Sequence, residues 1–189
     1  AYHGMIMSWG TGIGAALSIF TILATVWKHG IKPEPGLYAI FAGFVLYILD
    51  GASAVVTSNV AWAYQLHGTM WQSGHTMTVL VAMALIWMGV LYHHYPVLTG
   101  RKLDAKLGSV FVKLCTFSTI AIAIVMLMGG ADGMPRRHAD WAQGGWMVYG
   151  NWMLILGLVL AAGYIAYAMS LYKSRDIETS PASAPEAAE

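Results

Sequence analysis

Five long apolar stretches follow one another along this chain, separated by short polar connections. Each is close to the ~20 residues that an α-helix needs to cross a hydrocarbon core. Helices and closed barrels both satisfy the backbone groups in lipid, but barrel strands alternate apolar and polar residues. These stretches are continuously apolar, which favours helices. The predicted membrane-spanning helices are Met5–Trp27, Leu37–Trp62, Trp71–Tyr95, Leu107–Met128 and Trp146–Tyr172.

Composition agrees with a membrane protein. Charged residues are 10% and hydrophobic residues 58% of the 189, against roughly 25% and 45–50% in soluble domains. We therefore predict an all-α integral membrane protein with one transmembrane domain at residues 1–172. Pro96 is predicted to end the third helix, because proline disrupts helical hydrogen bonding. Residues 173–189 are polar and rich in Pro and Ala, and are predicted to form a disordered cytoplasmic tail.

Basic residues in the connections predict the orientation, because cytoplasmic loops carry an excess of Lys and Arg. This bias places the N-terminus outside and the C-terminus in the cytoplasm. The pair Arg136-Arg137 falls in an external loop and violates the bias. The basic residues assigned to the cytoplasmic side are Lys28, Lys32, Arg101, Lys102, Lys106, Lys173 and Arg175.

Two histidines, His67 and His75, lie before and within the start of the third predicted helix. An ionisable residue inside a membrane is a candidate for function, because it needs a partner there. For His75 that partner is either a haem iron or another metal, or a hydrogen-bond acceptor on a neighbouring helix. His67 is expected in the external loop, where it could contact a haem propionate, hold a metal or face water.

Three further features leave alternatives open. Asp50 is the single carboxylate inside a predicted span, and could relay protons or hydrogen-bond a buried partner. The guanidinium groups of Arg136 and Arg137 suit carboxylates such as haem propionates, but also lipid headgroups or solvent. Cys115, the only cysteine, is interpreted as a packing residue.

Taken in order, five segments resemble the C-terminal part, helices eight to twelve, of subunit I of the haem-copper oxygen reductases. This superfamily includes the cytochrome c oxidases and the respiratory nitric oxide reductases. The matching segments are Gly10-Thr11-Gly12-Ile13, Gly51 with Asn59, His67 through His75, Thr99-Gly100-Arg101 with Leu107-Gly108, and Gly133-Met134-Pro135-Arg136-Arg137.

The resemblance implies site residues and cofactors. His75 would be the metal-binding residue, the proximal ligand of a high-spin haem whose type is open. Arg136 and Arg137 would pair with the haem propionates, and His67 would lie near them at the outer face. The copper-binding histidines of the family belong to earlier helices, so copper is expected on a partner chain.

Three positions depart from the family pattern. Met77 stands where the family has the histidine of a second, low-spin haem; its thioether could ligate that haem, or the haem could be absent. Gly14 replaces a proton-pathway lysine. Gly68 replaces an aspartate beside an external magnesium site, and His67-Gly68-Thr69 is more similar to the nitric oxide reductases.

The expected function is therefore that of the C-terminal part of a split or divergent terminal oxidase subunit I, which reduces oxygen to water. The expected partners are a membrane chain carrying the N-terminal subunit I helices, an electron-donating subunit with haem c or copper, and the lipid of a bacterial or archaeal cytoplasmic-type membrane. No nucleic-acid partner is expected. The alternatives are a nitric oxide reductase-like subunit and a non-catalytic assembly or electron-transfer subunit.

Overall fold

The computed structural model describes residues 2–30, 34–137 and 145–177. Five helices in these ranges are long and apolar enough to cross a membrane, which confirms the predicted all-α membrane architecture. The elements in chain order are α1 (Tyr2–His29), α2 (Pro35–Ser58), α3 (Val60–Leu66), α4 (Met70–Thr99), β1 (Arg101–Lys102), α5 (Ala105–Ala131), α6 (Met147–Tyr172) and β2 (Arg175–Asp176).

The second predicted span is interrupted near its end. It stops at Ser58, and Asn59 adopts an extended conformation with φ −75° and ψ 125°. The side chain of Asn59 accepts a hydrogen bond from the backbone N–H of Ala61 at 3.0 Å, which is the usual role of asparagine at a helix start. The short helix α3 therefore begins here, and it leads the chain towards α4.

Pro96 does not end α4, so that prediction was wrong. The helix continues to Thr99 and stops at Gly100, whose left-handed φ of 68° is typical of a helix C-terminus. The N–H of Gly100 donates to the carbonyl of Pro96 at 2.9 Å. Proline removes only its own N–H from the helical ladder, and this close to the end the remaining turn can still form.

The chain also stays ordered beyond the predicted start of the tail at residue 173. The strand β2 pairs antiparallel with β1, and Arg101 Nε lies 3.0 Å from Asp176 Oδ1. The N–H of Ile177 donates to the carbonyl of Gly100 at 2.9 Å. These contacts give residues 175–177 partners at the end of α4 and in β1. Residues 178–189 of the predicted tail lie outside the described ranges.

The loop before α5 supplies its N-cap. The side chain of Asp104 accepts a hydrogen bond from the backbone N–H of Leu107 at 2.9 Å, which satisfies one of the free donors of the first helical turn. This hydrogen bond holds the pKa of Asp104 below its ordinary value, with a smaller contribution from the charges of Lys173 and Arg175.

Helices α2 and α4 pack closely and antiparallel through small residues. A Cβ built on Gly89 would lie 2.6 Å from the carbonyl oxygen of Gly36, and one on Gly43 would lie 2.6 Å from that of Ala82. Small residues allow such approach between membrane helices, where dispersion contacts replace the hydrophobic effect. The backbones of α2 and α4 are therefore held in one register.

The hydrophobic core lies among α2, α4, α5 and α6. Its fully buried members include Leu46, Leu85, Phe111 and Cys115, which agrees with the packing role expected of the cysteine. Helix α1, in contrast, exposes most of its apolar side chains and contacts mainly α2. Because α1 makes few contacts with the rest of the bundle, an open cavity remains between α1 and the α2–α4 pair.

Candidate functional site

A histidine and a carboxylate meet across the α2–α4 contact. The Nδ1 atom of His75 on α4 lies 2.7 Å from Oδ2 of Asp50 on α2. The Asp50 side chain is only 5% exposed, whereas that of His75 is 30% exposed. The carboxylate is therefore buried between the helices, and one edge of the imidazole remains accessible.

Ser53 completes this cluster from one turn further along α2. Its hydroxyl is 3.0 Å from Oδ1 of Asp50 and 2.8 Å from the Asp50 backbone carbonyl oxygen. It also lies 3.3 Å from Nδ1 of His75. Each oxygen of the Asp50 carboxylate thus lies within hydrogen-bond distance of a partner: Oδ2 of the imidazole, and Oδ1 of the hydroxyl, whose single hydrogen is shared with the backbone carbonyl.

The contact with Asp50 determines which nitrogen of His75 is free. An ionised carboxylate only accepts hydrogen bonds, so Nδ1 must carry the hydrogen that it donates to Asp50. Nε2 of a neutral imidazole is then left with its lone pair. Among the described residues, no hydrogen bond to Nε2 is found. This is the state in which a histidine binds a metal.

The helix behind His75 restricts where its ring can lie. At the preceding residue, Gly74, a Cβ would lie 2.9 Å from the Cβ of Met126 on α5. The side of α4 that faces α5 is therefore filled at this level. His75 lies about 100° further around α4, where its ring meets Asp50 of α2 and lines the cavity.

The cavity beside His75 has a volume of about 730 Å³ and lies between α1, α2 and α4. This is within the roughly 300–1,000 Å³ typical of small-molecule and cofactor sites. Small residues at helical spacing form much of its wall: Gly12, Ala15 and Ala16 on α1, and Gly51 and Ala54 on α2. Gly12 and Gly51 both belong to the segments that carry the family resemblance.

A second polar group of the cavity wall is unpaired. The side-chain oxygen of Gln72, one turn before His75, is buried without a hydrogen-bond partner among the described residues. Buried polar atoms usually have a partner. A largely apolar cavity with one free imidazole nitrogen and one unpaired amide fits a haem, which is flat, mostly apolar and ligated through its iron.

Two loops join at the end of the bundle nearest His75. The N–H of Met70 donates to the carbonyl of Met134 at 2.8 Å, and the N–H of Arg136 donates to that of Gly68 at 2.9 Å. Arg136 is therefore held beside the start of α4, and His75 lies five residues into this helix, about 7.5 Å along its axis at 1.5 Å per residue.

The side chains of this loop pair are accessible. Arg136 is partly buried, Arg137 and His67 are exposed, and Arg137 has a left-handed φ of 64°, which is uncommon for a residue other than glycine. Neither guanidinium forms an ion pair within the described part of the chain. Both remain available to an external carboxylate.

Met77 is not brought to the same place. It is partly buried and packs against the hydrophobic core, about 200° around α4 from His75 at 100° per residue. Sequence reasoning also missed Ser53 and Gln72 as members of the site, and could not assign a partner to Asp50. The available signal was helical spacing, since Asp50 and Ser53 are three residues apart, as are Gln72 and His75.

Comparison with known proteins assigns the chain to a family. The family described as cytochrome c and quinol oxidase polypeptide I matches residues 1–162. Cytochrome c oxidase subunit 1 of Debaryomyces hansenii is 32% identical over 162 residues, which are 83% of this chain and 28% of that protein. A probable quinol oxidase subunit 1 of Staphylococcus haemolyticus is 25% identical over 165 residues, 86% of this chain and 25% of that protein.

The fold agrees with this assignment. A chain of a heme-copper terminal oxidase dimer, solved by cryo-EM, superposes with a TM-score of 0.68 at 21% identity, over 76% of this chain and 27% of the other. The present chain thus spans under a third of the length of these relatives. By its sequence match and its five-helix fold, it belongs to the cytochrome c and quinol oxidase subunit I family.

Proposed function

We propose that this chain supplies the C-terminal helices of a haem-copper terminal oxidase subunit I, and that Nε2 of His75 would bind the iron of a high-spin haem. One observation carries the proposal: Nδ1 of His75 is bonded to Asp50, which leaves Nε2 for a metal beside the 730 Å³ cavity. A metal-binding histidine commonly donates its other N–H to a carboxylate in this way.

The chain's own residues would bind and orient the haem. His75 would fix its iron, and the small residues of α1 and α2 would leave room for its flat ring. Arg136 and Arg137 would pair with the propionates, with His67 nearby, which would also account for two basic residues in an external loop. When bound, the haem supplies the iron at which oxygen is reduced to water.

Other parts of the oxidase would complete the site. Copper and its histidine ligands are expected on a partner chain that carries the N-terminal helices of subunit I, and electrons would arrive from a subunit with haem c or copper. The orientation proposed from the basic residues places the loop of Arg136 outside and the β1–β2 pair in the cytoplasm, in a bacterial or archaeal cytoplasmic-type membrane.

A non-catalytic assembly or electron-transfer subunit is the second candidate, and the position of Met77 favours it. The thioether packs against the hydrophobic core, as an ordinary apolar side chain does, instead of marking a second haem site. A nitric oxide reductase-like subunit is the third, favoured by Gly68 beside His67. Metal analysis separates these candidates: haem with copper supports oxygen reduction, haem with non-haem iron supports nitric oxide reduction, and no haem supports the scaffold.

The ligand role of His75 can be tested on the intact complex purified from membranes through a tag on this chain. We expect His75→Gly to lose the high-spin haem, and added imidazole to restore it, because free imidazole can occupy the space of the missing ring. His94→Ala is the matched control, since His94 is an exposed histidine of the same helix. Unchanged haem content and an unchanged optical spectrum in His75→Gly would contradict the proposal.

A further inference from the structure

We propose that Asp50 is a positioning residue for His75, held in place by Ser53, and that its negative charge lowers the reduction potential of the haem iron. This inference rests on the proposed ligand role of His75. It assigns to the buried carboxylate a function that the proposed haem site alone does not require, because a backbone carbonyl could also orient a histidine ring.

The carboxylate of Asp50 is buried within the membrane-spanning part of α2. Its side chain is 5% exposed and lies eight residues before the end of a membrane-spanning helix. A carboxylate at such a position is expensive unless it is paired. The partners found among the described residues are the imidazole of His75 and the hydroxyl of Ser53, so the pairing of Asp50 is directed at the proposed ligand.

Ser53 restricts the orientation of the Asp50 carboxylate. Its hydroxyl lies within hydrogen-bond distance of the Asp50 carbonyl at 2.8 Å and of Asp50 Oδ1 at 3.0 Å. The hydroxyl carries one hydrogen; when it donates this hydrogen to Oδ1, it limits rotation of the carboxylate and keeps Oδ2 towards Nδ1 of His75. The imidazole ring is then fixed in both orientation and tautomer, and little freedom remains to be lost when Nε2 binds iron.

The charge of Asp50 would also affect the electronic properties of a haem iron bound by His75. A carboxylate that accepts the Nδ1 hydrogen makes the imidazole a more basic ligand. A more basic ligand and a nearby negative charge both stabilise ferric iron relative to ferrous iron, and so lower the reduction potential. Orienting the His75 ring requires only a hydrogen-bond acceptor at position 50, whereas lowering the reduction potential requires the negative charge. Substitution of Asp50 can therefore separate these two roles.

Asp50→Asn separates them, because the amide oxygen can still accept from Nδ1 but carries no charge. We expect the purified complex to retain its high-spin haem. The equilibrium should shift at least tenfold towards ferrous iron, which is about 59 mV for a one-electron couple. The iron–histidine stretching frequency, measured by resonance Raman spectroscopy of the reduced complex, should fall.

Two further variants sharpen the test. Asp50→Glu keeps the charge but displaces it, and its potential should lie between those of the wild type and Asp50→Asn. Thr119→Val is the control for the loss of a buried polar group and should leave the potential unchanged. Among the described residues, the hydrogen bond found for the Thr119 hydroxyl stays within α5, at the carbonyl of Cys115. If Asp50→Asn does not accumulate, an upward shift in Asp50→Glu is still required.

The proposal is overturned if Asp50→Asn, or Asp50→Glu in its place, retains the wild-type potential and stretching frequency. That outcome would leave the ligand role of His75 intact, provided that His75→Gly loses the haem. If instead the wild-type complex contains no haem bound through His75, the proposed function itself fails, and this inference falls with it. The two failures are therefore distinguishable.

Discussion

Filling the cavity beside His75 should displace the haem without disturbing the helix bundle. Gly12 on α1 and Gly51 on α2 both line this cavity, and a Cβ built on either would meet no other atom within 4 Å. We therefore expect Gly12→Phe and Gly51→Phe each to place a ring in the space proposed for the porphyrin. The Cβ itself therefore displaces no neighbouring helix at either position.

The substitutions should affect haem affinity and helix stability differently. Inserting extra atoms where a rigid partner must fit costs about 1–3 kcal/mol in protein interiors, which corresponds to roughly 5- to 150-fold weaker haem binding at 1.4 kcal/mol per tenfold. Replacing a helical glycine, in contrast, gains a few tenths to about 1 kcal/mol of helix stability. The bundle should therefore be as stable as in the wild type while haem is lost.

The assay is haem per polypeptide in the purified complex, together with its thermal stability in detergent. Gly14→Phe is the matched control, since Gly14 lies on the same helix, has the same free space around its Cβ and is outside the cavity wall. A series from Ala through Leu to Phe at Gly51 should lower haem content progressively as the side chain grows.

Full haem content in both Phe variants at position 12 and position 51 would refute the placement of the haem in this cavity. Equal loss in Gly14→Phe would also count against it, because the effect would then come from the helix and not from the cavity. Neither outcome would by itself remove His75 as a ligand, since Nε2 could face a haem seated differently.

Two further predictions concern the two ends of the bundle. Replacing both Arg136 and Arg137 with Ala should lower haem occupancy or shift its potential, because two propionate charges would lose their partners; wild-type occupancy and potential by redox titration would exclude propionate pairing. At the other end, the folded-state pKa of Asp104 is lowered below 3.8, chiefly by a backbone hydrogen bond in the first turn of α5. Its contribution to stability is therefore complete above about pH 4 and is lost as the pH falls through the lowered pKa. In thermal unfolding measured from pH 6 to pH 3, the higher melting temperature of the wild type relative to Asp104→Asn should shrink as the pH falls. A difference in melting temperature that stays constant with pH would contradict this.

The spans were predictable because each helix carries its own signal in a continuous apolar run. The helix ends were harder to predict, because each depends on a few local hydrogen bonds and backbone angles. Asn59 ends α2 and caps α3, and α4 continues through Pro96 for one more turn to Gly100. The ordered residues after α6 could not be found from composition, since Arg175 and Asp176 gain structure only by pairing with β1, which is far away in sequence.

The candidate site was predictable only in part, because it also depends on contacts between residues that are far apart in the sequence. His75 stands out as an intramembrane histidine, and Asp50 as a lone carboxylate, but their contact joins residues 25 positions apart. A single sequence gives no direct measure of how far one helix is shifted along another. Gln72 and Ser53 are common residue types that the sequence does not single out. They can be assigned to the candidate site only from the burial and hydrogen bonding around His75.

The register of α2 against α4 nevertheless follows from a repeat that the sequence contains. Gly36, Gly43 and Asp50 are each seven residues apart, as are the α4 residues Gly89, Ala82 and His75, and the structure pairs them in antiparallel order. A seven-residue spacing returns to the same face of a helix, and the close glycine contacts permit only a narrow choice of shift. The first two pairs, at Gly36 and Gly43 of α2, bring the backbones into close contact. The third pair, at Asp50, has larger polar side chains and places the carboxylate against the imidazole. Sliding α2 by one turn would break the glycine contacts and separate Asp50 from His75 at once, so helix packing and the orientation of the proposed ligand depend on the same register.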